Sequence, residues 1–186
     1  SRPSEIRQHL PVILEAVRRG KFKNIDFVLP LADSLDFQEI NEQLKELPIK
    51  ILHGKFEECI EASDAAIVAS GTASLQAGLA IVPYVLIYRV SPISFWIAKK
   101  LALVPFLGIL NLLAKKEVVK ELLQDDFTPE NLINELRNIL DDEAANQRIR
   151  NEMGRVREML GDPGAYQRAA EDYLQYIFRI SGAETC

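Results

Sequence analysis

The chain has 186 residues, 48% of them hydrophobic and 26% charged, which is enough to bury a sizeable core and ordinary for a globular domain. A net charge of −5 without a basic stripe excludes nucleic acid as an expected partner. The two cysteines, Cys59 and Cys186, have no metal-ligand spacing and fit a reducing compartment.

A first helix is expected from Pro3 onward. Small polar residues lead to a proline in the first turn, Glu5, and then Ile6, Leu10, Ile13, Leu14 and Val17 at helical spacing. Gly20 stands where a C-cap glycine is preferred. On this reading His9 falls on the exposed part of the helix and is inert. An α/β domain seldom begins on a bare helix. The expectation is therefore a fragment whose preceding strand, with or without a whole preceding domain, is missing.

The chain then alternates. Strands are predicted at 25–29, 49–52, 65–69 and 83–88, and helices at 37–46, 56–61 and 73–80. Short apolar runs without in/out alternation predict a parallel, Rossmann-like α/β sheet covered by helices on both faces. Ligands bind such sheets beyond the carboxyl ends of the strands. Ser70–Thr72, Tyr88-Arg89 and the His53-Gly54 turn occupy those ends, with His53 a candidate for lining a cleft. Ser70-Gly71-Thr72 is the most informative of them. A buried strand turning through glycine into a helix presents free N–H groups, a positive helix end and two hydroxyls, which suits a phosphate or diphosphate. The alternative is an ordinary strand–glycine–helix turn.

Residues 92–113 are strongly apolar, with Lys99 and Lys100 as the only charges. Those lysines, Pro105 and Gly108 argue against a spanning helix. Two readings are open: a buried helix followed by a core strand at 106–110, or a helix whose apolar face, bearing Trp96 and Lys99/Lys100, rests on a membrane surface or acyl chains. Further helices are predicted at 117–124, 130–140, 143–160 (closed by Gly161) and 165–180. Thr128-Pro129-Glu130 is a strong helix start. Glu121 and Gln124 would then share a helix face. The division expected is an α/β domain over 1–128 and a helical segment over 129–186 that packs across to a neighbouring domain or subunit.

Four segments, in order and at matching spacing, resemble the C-terminal half of lipid-A-disaccharide synthase, a bacterial glycosyltransferase family of the two-domain GT-B fold. They are Ser1-Arg2-Pro3-Ser4-Glu5-Ile6; Ala62-Ser63-Asp64-Ala65-Ala66 through Ser70-Gly71-Thr72-Ala73; Tyr88-Arg89 with Pro92 and Phe95-Trp96-Ile97-Ala98-Lys99; and Asn111-Leu112-Leu113-Ala114 with Glu117 and Val119-Lys120-Glu121-Leu122-Leu123-Gln124. The resemblance implies transfer of 2,3-diacylglucosamine from its UDP derivative to 2,3-diacylglucosamine 1-phosphate, with inversion and release of UDP. It makes this chain the donor-binding half, with 1–128 holding the UDP-sugar; no cofactor is expected, and no metal if the hydrogen-bond donors suffice. The catalytic base is expected in the missing N-terminal half. It also implies a peripheral place at the cytoplasmic face of the inner membrane, and a homodimer is a further expectation.

On this resemblance Arg2, Ser70, Gly71, Thr72, Gln76, Tyr88, Arg89, Asn111, Glu121 and Gln124 are the candidate substrate-binding residues. Arg2 would give the diphosphate a bidentate cation, and Asn111, Glu121 and Gln124 would face uracil or ribose. Each has a plainer reading: Arg2 solvated, Tyr88-Arg89 a core edge with a surface charge, Asn111 a turn former, Glu121 and Gln124 a solvated face. Three positions depart from the family pattern. Gln76 stands for a usual Glu, Leu110 for Pro and Lys115 for Gly, which puts donor affinity in question. Two other readings remain: another GT-B UDP-sugar transferase acting on a lipid acceptor, and a nucleotide-binding or assembly module without transfer.

Overall fold

The computed structural model describes residues 3–32, 37–44, 47–91, 105–161 and 164–181. The expectations for Arg2, for Trp96, Lys99 and Lys100, and for Cys186 lie outside these residues. Helix α1 (Pro3–Gly20) leads into strand β1 (Phe27–Leu31), α2 (Phe37–Leu44), β2 (Ile49–His53), α3 (Phe56–Glu61), β3 (Ala66–Ala69), α4 (Thr72–Leu79) and β4 (Tyr84–Tyr88). After residues 92–104 come α5 (Ile109–Ala114), β5 (Glu121–Leu123), a 3-10 turn (Gln124–Asp126), α6 (Pro129–Asp141), α7 (Glu143–Met159) and α8 (Ala165–Ser181).

Among the described residues the strands form two parallel sheets, β1-β2 and β3-β4-β5. The first aligns Phe27 with Ile49, and the second aligns Ala69 with Ile87 and Tyr88 with Leu123. Strand β4 shows why the fold is α/β with both faces covered. Tyr84 and Leu86 pack with Ala77 of α4, Leu110 of α5, and Met153 and Val156 of α7. Val85 and Ile87, pointing the other way, pack with Ala16 of α1 and Leu132, Leu136 and Ile139 of α6. A fully buried side chain of this size contributes about 1.5–3 kcal/mol, so the run Tyr84–Ile87 anchors both layers. Helices α6 and α7 thus complete the core around β4. Helix α8 differs, exposing Tyr166, Tyr173, Leu174, Tyr176, Ile177 and Ile180.

Several local signals operate as read. Thr128 Oγ1 caps α6 by accepting from the N–H of Asn131 at 3.2 Å, with Pro129 behind it. Gly161, at φ 76°, follows the end of α7. Gly20 has a different role from the one expected. The left-handed residue is Lys21 (φ 45°), whereas a Cβ on Gly20 would lie 2.2 Å from the Phe22 ring. Close approach, not backbone conformation, requires glycine there.

Two element predictions are corrected. Residues 109–114 form a helix where a core strand was read at 106–110, a known ambiguity of short apolar runs. Residues 117–124, read as a helix, instead contain strand β5 paired to Leu86–Tyr88. The physical cause is Asn111. Its Oδ1 accepts the N–H groups of Val118 (2.8 Å) and Val119 (3.0 Å), and its Nδ2 donates to the carbonyl of Val119 (2.9 Å). Those backbone groups are then unavailable to a helix, so tertiary pairing overrides local propensity. Glu121 and Gln124 accordingly do not share a helix face.

The departures at 110 and 115 have structural readings. Leu110 is 1% exposed and fills the space beside Gly78, where a Cβ would lie 3.0 Å from the leucine Cδ1. Lys115 follows α5 in the left-handed conformation, φ 56° and ψ 24°. Left-handed backbone costs a side-chain-bearing residue about 1–2 kcal/mol, against about 0.5–1 kcal/mol for the entropy of glycine. Lys115→Gly should therefore stabilise the fold by about 0.5–1 kcal/mol. Urea unfolding checks this as a raised midpoint at unchanged slope.

Candidate functional site

Because β3, β4 and β5 are parallel neighbours, their carboxyl ends form one continuous rim. The N–H of Ser70 donates to the Ile87 carbonyl at 3.1 Å, carrying the ladder to the edge. Gly71 then turns the chain at φ 147°, ψ −163°, a region essentially closed to other residues, and α4 begins at Thr72. No side chain caps α4. The first N–H groups of the helix, its positive dipole end and the exposed Thr72 thus face outward together. Among the described residues neither the Ser70 nor the Thr72 hydroxyl has a hydrogen-bond partner. Ser74, fully buried, donates its hydroxyl to the Gly71 carbonyl at 2.7 Å and so locks the turn. Gln76 is exposed one turn further along, on the same face of α4 as Thr72.

The middle of the rim is Tyr88-Arg89. Arg89 is committed within the protein: its Nε and Nη2 donate to the Gln124 carbonyl at 3.3 and 3.0 Å, and Nη2 also to the carbonyl of Phe127. The guanidinium lies 5.1 Å from the centre of the Phe127 ring. Gln124, left-handed at φ 50°, accepts from the N–H of Val90 through Oε1 at 3.3 Å. Its Nε2 is buried without a partner among the described residues.

Asn111 and Glu121 form a separate cluster, beginning two residues below the rim, where Glu121 lies opposite Leu86. Asn111 is fully buried, and all four hydrogen-bonding positions of its amide are engaged: the three bonds to residues 118 and 119, and Nδ2 to Glu121 Oε1 at 2.8 Å. Glu121 also accepts from the N–H groups of Leu107 (2.8 Å) and Gly108 (3.0 Å). The pair therefore holds the start of α5 against β5. Burial, with the charge of Glu121 as a lesser cause, raises the nearby Tyr84 hydroxyl well above its ordinary value and keeps it protonated.

His53 ends β2 in the other sheet and is exposed. His9 is corrected: it is 4% exposed rather than on the outer face, and its Nε2 accepts the N–H of Arg89 at 2.9 Å. Burial is the main cause that lowers its pKa from the ordinary 6.5. Its place was legible, three residues after Ile6 and four before Ile13, on the apolar stripe. Ser74 was missed as well; serine in a first helical turn, three residues after a turn glycine, was the available signal. Among the described residues there is no group of three or more His, Cys, Asp or Glu that could hold a metal ion. Nor is any helix among them long and apolar enough to cross a membrane.

A family model described as lipid-A-disaccharide synthetase matches residues 1–176. Proteins named lipid-A-disaccharide synthase from Anaeromyxobacter dehalogenans (strain 2CP-C) and Myxococcus xanthus (strain DK1622) are each 39% identical, over 179 and 181 residues. That of Geobacter sulfurreducens (strain ATCC 51573 / DSM 12127 / PCA) is 36% identical over 181 residues. These alignments cover 94%, 95% and 95% of this chain but 47% of each relative. The chain spans about half the length of the curated relatives it matches.

Proposed function

The chain belongs to the lipid-A-disaccharide synthetase family, and on that premise we propose that it is the donor-binding half of a glycosyltransferase. The reaction proposed moves 2,3-diacylglucosamine from its UDP derivative to 2,3-diacylglucosamine 1-phosphate, inverting the anomeric centre and releasing UDP. The observation that carries this reading is the uncapped start of α4 beside Gly71, flanked by the Ser70 and Thr72 hydroxyls, at the carboxyl end of the sheet.

As the glycosidic bond to UDP breaks, negative charge develops on the β-phosphate. Donors already fixed in place stabilise it without reorganising during the reaction. The amides of Gly71, Thr72 and Ala73 and the hydroxyls of Ser70 and Thr72 serve as those donors. Arg2 adds a cation on this reading. Gln124, Tyr88 and Gln76 line the remaining rim on this reading. Arg89, Asn111 and Glu121 act by holding the rim and the α5 start in place, because their polar groups are bonded within the protein. The base that activates the acceptor comes from the other half.

Both substrates carry acyl chains, which supports a peripheral position on the cytoplasmic face of the inner membrane. The exposed apolar residues of α8, Tyr173, Leu174 and Ile177 among them, support a contact with the other half or with a second copy.

Calorimetric titration with UDP tests the donor site. Ser70→Ala and Thr72→Ala should each weaken binding by about 1–3 kcal/mol, the scale of a hydrogen bond to a charged group. A folded chain that binds no UDP, or binds it equally well after both substitutions, would overturn the reading.

A further inference from the structure

The carbonyl of Gly71 receives two donors from a single residue. Ser74, fully buried, gives it the side-chain hydroxyl at 2.7 Å and the backbone N–H at 3.2 Å. The helix does not need the hydroxyl, because alanine is the better helix former at such a position. What the hydroxyl restrains is one peptide plane. The Gly71 carbonyl and the Thr72 N–H belong to the same planar trans unit and point in opposite directions. Rotating that plane changes ψ of Gly71 and φ of Thr72 together. Glycine resists such a rotation less than other residues do, and no atom lies within 4 Å of where a Gly71 Cβ would stand. Nor does a side chain cap α4 and hold its first turn. With the carbonyl tied down by Ser74, the Thr72 N–H is turned the other way, out of the positive end of α4. A donor on the carbonyl also polarises the peptide and strengthens the N–H on its far side as a donor.

We propose that Ser74 is a positioning residue for the diphosphate: by holding the Gly71 carbonyl it aims the Thr72 amide at the β-phosphate. The proposal rests on the donor-site reading above and adds a buried residue that touches no substrate. Ser70 and Thr72 offer their own groups to the ligand, whereas Ser74 acts only through the peptide between Gly71 and Thr72. Removing its hydroxyl strands no buried group, since the Gly71 carbonyl keeps the N–H of residue 74. Ser74→Ala should therefore fold like the parent and lose affinity rather than stability.

The test is calorimetric titration of the 186-residue chain and of Ser74→Ala with UDP and with uridine monophosphate, which lacks the β-phosphate. Urea unfolding checks the fold, and NMR follows the Thr72 amide. Ser74→Ala should bind UDP about three- to tenfold more weakly, the scale of one neutral hydrogen bond, and the monophosphate about as tightly as the parent. Saturating UDP should move the Thr72 amide signal in the parent and move it less in the variant. Ser74→Cys, close in volume but with a weak donor, should fall between the two, and it carries the comparison if Ser74→Ala does not fold. Equal UDP affinity in parent and variant would overturn the proposal. So would an equal loss for the monophosphate, which marks a general loosening of the rim, or a Thr72 amide that ignores UDP in a parent that binds it. A folded parent that binds no UDP overturns the donor-site reading and this proposal with it. A parent that binds UDP beside a variant that binds it equally well leaves that reading standing and removes Ser74 alone.

Discussion

Asn111→Ala should destabilise the protein by about 3–5 kcal/mol, the range of a broken buried hydrogen-bond network. The substitution removes no large apolar volume, so the loss is almost wholly polar. It strands the N–H groups of Val118 and Val119, the carbonyl of Val119 and one bond to Glu121. Each unsatisfied buried backbone group costs about 1–3 kcal/mol, less where the chain can relax toward water. Asn111→Asp gives an informative comparison. Its carboxylate still accepts from Val118 and Val119, but it cannot donate to the Val119 carbonyl and it sets a second negative charge beside Glu121. It should therefore also lower stability, and more at neutral than at acid pH. Urea unfolding of both variants measures the effect. A loss under about 1 kcal/mol for Asn111→Ala would show that the amide does not hold residues 118–121 in their non-helical path.

Gly71→Ala is the second large effect, and it separates conformation from space. A Cβ at Gly71 meets no atom within 4 Å, so no collision opposes it. The backbone does, because φ 147° with ψ −163° is open only to glycine and costs another residue about 1–3 kcal/mol. The chain either bears that strain or relaxes the turn. Relaxing it misdirects the amides of residues 71–73, and UDP affinity should fall at least about tenfold, the equivalent of about 1.4 kcal/mol. Gly154 provides the opposite case. Its Cβ position is equally open, but it sits inside α7 with ordinary helical backbone, so Gly154→Ala should stabilise by about 0.4–1 kcal/mol and leave UDP binding unchanged. Thermal unfolding and calorimetry on the two variants would read both effects. Equal behaviour at the two sites would mean that the turn at Gly71 is not conformationally special.

The elements legible from sequence are those whose information is local. Tyr84–Ile87 is apolar at every position and is buried on both faces, which fixes it as an inner parallel strand. Thr128-Pro129 and Asp142 begin helices because a side-chain oxygen reaches an N–H three residues on. The Ser70-Gly71-Thr72 turn was legible for the same reason: strand, glycine and helix are consecutive in the chain. The errors fall where a distant partner decides. A short apolar run at 106–110 fits a helix as well as a strand, and residues 117–124 have strong helix formers. Only Asn111 and the edge of β4 turn the second of these into β5.

The candidate site divides along the same line. Sequence alone put Ser70–Thr72 and Tyr88-Arg89 at the carboxyl ends of β3 and β4, but Gln124 reached the rim only through β5, a stretch read as helix. Tertiary structure alone decided what each polar group is free to do. Among the described residues it left Gln124 Nε2 without a partner. It bound Arg89, Asn111 and Glu121 to the protein's own backbone. It also brought His9 to the rim from eighty residues away. Residue type and spacing specify the capacity to form hydrogen bonds, but only packing in three dimensions determines which of those bonds the fold has already made.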